Sequence, residues 1–328
     1  MSVTRVLSPS AVGAIDDLEL AARLIVEGAH TGRHRSPFHG FAAEFSQHRP
    51  YRPGDDLKYL DWKILGRTDR LYSRRFRETT NLSAMIVLDA SASMNFPVGG
   101  GVKDVKVVQD VKTSRRHAGQ ELSKFRYAVL MAAALAHVII EQGDAAGLIT
   151  MSGDRFVYLP PKGGRTHLHA MLTMLARLEP AGAWQLDRVL ARGGELLKRR
   201  GVMVAVSDFY DATETTYREL RRIGHRGHDV ALLQVLSPAE ISFPYSGAME
   251  FEHLETAERR FLDAGEAAAG YRRAVSEFLT DSRAQAHRDG HDYALLPTDV
   301  APERALRSYL IRRARASAPA AGAKSGRR

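Results

Sequence analysis

The stretch AMIVLDASAS, residues 84–93, joins an apolar run to a cluster of oxygen-bearing side chains. The apolar half is typical of a buried strand, and Asp89, Ser91 and Ser93 follow it directly. Carboxylate and hydroxyl oxygens are the ligands that a hard cation such as Mg²⁺ prefers, and Mg²⁺ keeps several coordination positions for water or a partner. The stretch therefore predicts metal-dependent binding at the point where a buried strand leaves a sheet.

Apolar segments of strand length recur along the chain between helical patterns. The pattern predicts strands at 84–88, 145–151, 202–206 and 230–235, an antiparallel edge strand at 156–159, and helices near 121–141, 167–178, 186–199 and 213–224. Strands that are apolar on both faces are typical of a parallel sheet covered by helices on each side. The predicted fold class is α/β, with a doubly wound, mostly parallel sheet in three layers.

The remaining elements predict three regions. Residues 1–80 hold one helix at 10–29 and an Arg-, Pro- and Gly-rich segment, whose strand from Arg70 to Thr79 we expect to form a hairpin with the next strand. Residues 81–300 form the main domain, with an insertion at 97–120, a helix at 264–288 and a strand at 291–296. Residues 301–328 hold a helix at 302–315 and a basic tail, disordered from Ala314 onward.

Composition excludes several classes of protein. The 328 residues are 44% hydrophobic, enough for one large core, and the absence of cysteine excludes disulfides, thiol catalysis and Cys-ligated metal sites. The longest apolar stretch, 128–140, is well short of the roughly 20 residues that a spanning helix needs. Because no export signal is evident at the N-terminus, we expect a cytoplasmic protein.

The formal charge of +9 comes mainly from the C-terminal region. Six positive charges without an acid among them lie at Arg312, Arg313, Arg315, Lys324, Arg327 and Arg328, which leaves +3 for the rest of the chain. Nucleic-acid binding through this tail and the arginine-rich strand at 70–79 is one alternative function, although aromatic residues are not interleaved there in a stacking pattern apart from Tyr72 and Phe76.

Other oxygen-bearing side chains are predicted at the carboxyl ends of neighbouring strands, where doubly wound sheets bind their ligands. Asp208 follows the apolar run at 202–207, and Thr166 follows the turn at 162–165, at the start of a helix. We therefore expect one rim to carry Asp89, Ser91, Ser93, Thr166 and Asp208.

These three loops resemble the metal-ion-dependent adhesion site of the von Willebrand factor type A (vWA) fold. The resemblance implies that Ser91, Ser93 and Thr166 are hydroxyl ligands of Mg²⁺ or Mn²⁺, and that Asp89 and Asp208 balance the charge directly or through water. It also implies that an acidic side chain of a partner protein completes the coordination.

A second resemblance covers most of the chain. The stretches at 49–63, 67–69, 75–78, 123–127 and 142–148 are similar to the domain of unknown function 58 (DUF58) family. Members of that family often occur beside MoxR-type AAA+ ATPases, which implies that the chain acts with such an ATPase, or on its client, in assembly or maturation of other proteins. The insertion at 97–120 departs from the family pattern, and it is either a surface loop or a lid over the site.

Alternative interpretations of the cluster remain open at the level of sequence. The Asp-X-Ser-X-Ser stretch also fits a polar turn in which Ser93 caps a helix. A Mg²⁺-dependent phosphohydrolase of the dehalogenase type would need a second acid two residues after Asp89, and Ser91 occupies that place. His167 and His169 diverge on a helix, which disfavours a zinc site. We therefore predict a protein that is not an enzyme.

Overall fold

The computed structural model describes residues 17–29, 43–51, 62–68, 71–78, 82–97, 122–183 and 185–317. Within these ranges the helices are α1 (Leu18–Ala29), α2 (Trp62–Thr68), α3 (Lys124–Glu141), α4 (Arg165–Ala176), α5 (Leu186–Leu196), α6 (Glu214–His225), α7 (Pro238–Ser242), α8 (Ala264–Arg288) and α9 (Pro302–Ser317). The strands are β1 (Ala43–Pro50), β2 (Tyr72–Glu78), β3 (Ser83–Asp89), β4 (Ala145–Ser152), β5 (Arg155–Lys162), β6 (Gly201–Ser207), β7 (Asp229–Leu236), β8 (Ala248–Glu252), β9 (Arg259–Asp263) and β10 (Asp292–Pro297). Of the predicted segments, residues 98–120 of the insertion, residues 10–16 of the first helix and the tail beyond Ser317 lie outside the described residues. The expected disorder from Ala314 onward is wrong at its start, because α9 continues to Ser317.

The central sheet has the strand order β10-β7-β6-β3-β4-β5. Every neighbouring pair is parallel except β4 and β5, which are antiparallel. β3 and β6 lie side by side at the centre, with Leu88 opposite Val206, so the residues that follow the two strands emerge together. This topology confirms the predicted doubly wound, mostly parallel α/β fold, including its antiparallel edge strand.

Alternate residues of β3 pack into two separate helical layers because successive side chains of a strand point to opposite faces. Ala84, Ile86 and Leu88 belong to a core shared with α1, α3, α4 and α9. Met85 and Val87 belong to a core shared with α5, α6 and α8. The uninterrupted apolar run of the sequence is thus explained by burial on both faces of a three-layer domain.

The sequence predicts that the strand at 70–79 forms a hairpin with the strand that follows it, and this pairing is wrong. β2 pairs antiparallel with β1, with Phe45 opposite Phe76, in a separate two-stranded sheet. β3 has no free edge for β2, because β4 and β6 occupy both of its sides. The N-terminal region therefore contributes its own ribbon, and α1 packs on α3 and α9.

A small subdomain that the sequence analysis missed lies between β7 and α8. It consists of α7 and the antiparallel β8–β9 hairpin. Phe243, Tyr245, Phe251 and Tyr271 form its aromatic core, with the Phe243 and Tyr271 ring centroids 4.4 Å apart. Because this subdomain follows the carboxyl end of β7, it stands on the edge of the sheet that carries Asp89.

In the described part of the chain, no helix is both long enough and apolar enough to cross a membrane.

Candidate functional site

Asp89 ends β3 and is almost completely buried, with 1% of its surface exposed. Its Oδ1 accepts a hydrogen bond from the Ser91 amide at 2.9 Å, and its Oδ2 accepts one from the Ser207 hydroxyl at 2.5 Å. Burial, and next the negative charge of Asp208, raise the pKa of Asp89 to about 7. The two hydrogen bonds oppose this rise and fix the orientation of the carboxylate.

Ser91 and Ser93 lie on the short 3₁₀ turn Ala92–Asn95 and the residue before it. The two hydroxyl oxygens are 2.9 Å apart, and the Ser93 hydroxyl donates to Asp208 Oδ2 at 3.5 Å. Ser91 is buried, whereas Ser93 is partly exposed at the rim. The serine pair therefore links the buried carboxylates to the surface.

Asp208 follows β6, and it accepts hydrogen bonds through both its side chain and its carbonyl oxygen. Its Oδ1 accepts from the Tyr210 amide at 3.1 Å, and its carbonyl oxygen accepts from Gln234 Nε2 at 2.7 Å. The next residue, Phe209, has a φ of 59°, in the left-handed region that bulky side chains rarely adopt. The structure thus brings Asp89, Ser91, Ser93 and Asp208 together, while their role as metal ligands stays a prediction.

Thr166 does not share this rim, contrary to the expectation from sequence. It follows β5, which runs against the other strands, so that Lys162 lies opposite Ala146 near the amino end of β4. The neighbouring His167 Nε2 is 2.8 Å from the Ala146 carbonyl oxygen. Since a strand rises about 3.3 Å per residue, Thr166 is roughly 15 to 20 Å from the carboxyl edge.

The loop after α4 returns to the carboxyl edge instead, and it contributes main chain. The Ala181 amide donates to the Ala90 carbonyl oxygen, and the Ala92 amide donates to the Gly182 carbonyl oxygen, both at 2.9 Å. In the described part of this loop, 177–183, no threonine or other hydroxyl side chain is present. The hydroxyl donors of the described site are therefore the two serines and Ser207.

Lys124 is the most prominent site residue that the sequence analysis missed. It begins α3, and its side chain is 1% exposed. Its ammonium group donates to Asp208 Oδ2 at 2.7 Å and to Glu240 Oε1 at 2.6 Å. Burial lowers the pKa of Lys124, but Asp208 and Glu240 outweigh it, so the net shift is upward and the lysine stays charged.

Glu240 belongs to a capping box at the start of α7. Its Oε2 accepts from the Ser237 amide at 2.8 Å, while its Oε1 faces Lys124. The sequence Ser237-Pro238-Ala239-Glu240 carries the signal for this cap, a serine followed three residues later by glutamate. The signal locates a helix start, but it does not reveal that the glutamate also reaches the site.

Two further side chains border the site from outside. Tyr210 is 41% exposed, and Lys124 Nζ lies 5.2 Å from the centroid of its ring. Glu255, in the turn between β8 and β9, lies near Ser93 and Asp211. Burial, and next the Asp211 carboxylate, raise the pKa of Glu255. The site therefore has an acidic, partly open mouth.

Comparison with known proteins places the chain in a family. The model of the family described as "Protein of unknown function DUF58" matches residues 47–108 and 102–285, more than half of the chain. The chain belongs to the DUF58 family.

The relatives of this DUF58 protein include the uncharacterized protein Rv1480 of Mycobacterium tuberculosis, with 27% identity over 76% of this chain and 72% of that protein. Similar solved structures include the conserved hypothetical protein BatB from Bacteroides thetaiotaomicron, with 14% identity, a TM-score of 0.42, and coverage of 71% of this chain and 99% of that one. Another is the SpRpn10 VWA domain, with 11% identity, a TM-score of 0.36, and coverage of 71% and 95%.

The donor set of the DUF58 site fits a hard divalent cation. Asp89, Asp208 and Glu240 carry three negative charges when ionised, and Lys124 balances one, so the cluster has a net charge of −2. Its other donors are hydroxyl oxygens, and no imidazole group among the described residues contacts it. Among the residues that the structure describes, no group of three or more His, Asp or Glu side chains is arranged to hold a metal. A cation at this site would therefore depend on Ser91 and Ser93 as well as on the carboxylates.

Proposed function

We propose that this DUF58 protein is a non-enzymatic interaction module that binds Mg²⁺ or Mn²⁺ at the carboxyl edge of its sheet and captures an acidic side chain of a partner. The observation that carries the proposal is the continuous cluster of Asp89, Ser91, Ser93 and Asp208. Its members come from two adjacent strand ends and are joined by hydrogen bonds.

Each residue of the cluster has a distinct part in this proposal. Asp89 and Asp208 balance the positive charge of the cation from the buried side of the site. The orientation of their carboxylates is fixed by Ser207 and the main chain. Ser91 and Ser93 supply neutral hydroxyl oxygens, and Ser93 is the one that faces the rim. A bound divalent cation supplies the positive centre to which a partner's carboxylate is attracted.

The geometry of Asp89 supports a binding role over phosphohydrolysis. A nucleophilic aspartate needs an oxygen directed at the substrate, whereas both oxygens of Asp89 accept short hydrogen bonds within the protein. The position two residues later, where the alternative needs a second acid, is the buried Ser91. The cluster is therefore better suited to anchor a ligand than to attack one.

The partner proposed from the family resemblance is a MoxR-type AAA+ ATPase or a client of that ATPase. The acidic mouth formed by Asp211 and Glu255 supports a requirement for a cation, because a partner carboxylate would otherwise meet negative charge. A cytoplasmic location, which the sequence predicts, is compatible with such a partner.

Affinity capture from a lysate of the source organism tests the proposal. Wild type, Asp89→Ala and Ser93→Ala are compared with Mg²⁺ and with EDTA, and Asp281→Asn, on the exposed side of α8, is the control. We expect an ATPase or client protein that wild type and the control retain only with Mg²⁺, and that both site variants lose. Identical captures with Mg²⁺ and EDTA would contradict metal-dependent capture.

A further inference from the structure

The position of Lys124 is unusual for a lysine, because its ammonium group lies inside a cluster suited to a metal cation. Its side chain is 1% exposed, and it reaches Asp208 and Glu240 at 2.7 and 2.6 Å. Asp208 Oδ2 is also the oxygen that the Ser93 hydroxyl contacts. One carboxylate oxygen is therefore shared between the ammonium group and the candidate metal site.

The ammonium group of Lys124 is enclosed by neighbouring side chains and does not reach the surface. Tyr210 lies over it, with its ring centroid 5.2 Å from Nζ, and the capping box of α7 holds Glu240 in place. An ammonium group paired with the buried Asp208 and the largely buried Glu240 is not available to bind a partner's carboxylate itself. Its effect on function must pass through the charge and position of Asp208.

We propose that Lys124 is the resident cation of the site, which stabilises Asp208 and Glu240 when no metal is bound and lowers the affinity of the cluster for a divalent cation. This inference rests on the proposed function, since it takes the cluster to be a metal site. Without Lys124, the buried Asp208 and the largely buried Glu240 would have no ion partner among the described residues, so the fold would depend on metal. With Lys124, the fold is independent of metal, and the divalent cation binds weakly and reversibly.

The opposing possibility is that Lys124 only positions Asp208 for the metal. The two roles predict opposite results for Lys124→Met, which keeps the length and the apolar stem of the side chain but removes the charge. A resident cation that competes for Asp208 predicts tighter metal binding in the variant, whereas a positioning role predicts weaker binding. Glu240→Gln provides an independent test, because it removes one negative charge while an amide oxygen can still accept from Ser237.

The experiment measures Mn²⁺ affinity by electron paramagnetic resonance titration of free Mn²⁺, and thermal unfolding in EDTA, for wild type, Lys124→Met and Glu240→Gln. Lys198→Met, on an exposed lysine, is the control. We expect Lys124→Met to bind Mn²⁺ about tenfold more tightly than wild type or more, because a repelling charge is removed. In EDTA its melting temperature should fall by about 5 to 10 °C, and Mn²⁺ should restore it. Glu240→Gln should bind Mn²⁺ several-fold more weakly.

Each negative result shows whether the role of Lys124 or metal binding itself is wrong. Unchanged or weaker Mn²⁺ binding by Lys124→Met would overturn the resident-cation role and leave metal-dependent capture by wild type intact. No Mn²⁺ binding by any of the proteins would overturn this inference together with the metal part of the proposed function. If Lys124→Met does not fold even with Mn²⁺, Glu240→Gln decides, and unchanged or tighter binding by that variant would overturn the inference.

Discussion

At the scale of single residues, Asp89 combines deep burial with a neighbouring carboxylate. Burial, and next Asp208, raise its pKa to about 7 from 3.8. A carboxyl group with a higher pKa in the folded state stabilises the fold fully below its unfolded pKa, and this contribution is lost as pH rises through the folded pKa. Without a divalent cation, the protein should therefore lose stability between about pH 4 and pH 8 on account of Asp89.

Asp89→Asn should remove this pH dependence, since asparagine carries no charge at any pH. Measured by urea unfolding in EDTA, the free energy of unfolding of Asp89→Asn relative to wild type should increase by about 2 kcal/mol or more from pH 4 to pH 8. The exposed Asp281→Asn serves as control and should show no such trend. If the free energies of unfolding of Asp89→Asn and wild type changed with pH in parallel, the ionised form of Asp89 would not be destabilised by its surroundings.

Thr166→Val tests the corrected position of the threonine. Because Thr166 lies near the amino end of β4, its replacement should leave Mn²⁺ affinity within about twofold of wild type, whereas Ser93→Ala should weaken it at least tenfold. Titration of free Mn²⁺ measures both. A loss of affinity in Thr166→Val comparable with that in Ser93→Ala would require a different arrangement of β5 and α4.

The site was predictable from sequence where its residues directly follow apolar strands. Asp89, Ser91, Ser93 and Asp208 carried that signal, and the strand register alone brings them together. Thr166 was misplaced because β5 is antiparallel, which sends the residues after it to the opposite edge. Lys124 was missed because its burial depends on Asp208 and Glu240, which are far away in sequence and come together with it only in the folded chain.

At the scale of elements, the start of α6 is held by a capping box close to the site. Thr213 Oγ1 accepts from the Thr216 amide at 3.4 Å, and Thr216 Oγ1 accepts from the Thr213 amide at 3.0 Å. Thr213→Ala should lower the free energy of unfolding by about 1 kcal/mol, as measured by urea titration. Thr215→Ala, on the same helix outside the cap, should cost less than half as much. Equal losses would show that the cap is not what stabilises the first turn.

The turn between β8 and β9 places a carboxylate where a partner's carboxylate is proposed to approach. Glu255 lies near Ser93, Asp211 and Asp208. Glu255→Gln removes this competing charge, so Mg²⁺-dependent partner capture should become about two- to fivefold stronger in a binding titration. Glu258→Gln, in the same turn, is the control. Weaker capture by Glu255→Gln would instead make Glu255 part of the binding site.

Helices and strands with a clear hydrophobic pattern were predicted closely. The pairing of strands with one another was not. The helix predicted at 264–288 is α8, and the strand predicted at 291–296 is β10 within one residue. The partner of β2 was misassigned because alternation in a strand does not encode which neighbour it has, and the sequence does not show that β4 and β6 occupy both sides of β3. The β8–β9 hairpin was missed because its strands, AMEFE and RRFLD, are rich in charged residues and contain no apolar run.

At the scale of the whole molecule, the C-terminal charge is divided between the fold and the tail. Arg313 was counted in the basic region, but it is buried in α9 and pairs with Asp292 and, at 3.0 Å, with Asp229. Of the six basic residues, those beyond Ser317 are Lys324, Arg327 and Arg328. The charge of the tail can therefore be removed without removing the ion pairs of Arg313 in the folded domain.

Two truncations test the nucleic-acid alternative without confusing it with unfolding. Ending the chain after Ser317 should leave the melting temperature unchanged and abolish any salt-sensitive retention on nucleic acid. Ending it after Leu310 should destabilise the fold by about 3 kcal/mol or more, because Asp229 and Asp292 lose Arg313. Retention that survives the first truncation and depends weakly on salt would support nucleic-acid binding by the folded domain.

The cluster at the carboxyl edge of the sheet is proposed to bind a divalent cation. The most direct test is an anomalous difference map from crystals of the wild-type protein soaked in Mn²⁺. We expect one strong peak within coordination distance of the Ser91 and Ser93 hydroxyls and beside Asp208, with no such peak in Asp89→Ala. An empty cluster at saturating Mn²⁺, with the Lys124 ammonium still bound to Asp208, would contradict metal binding at this cluster.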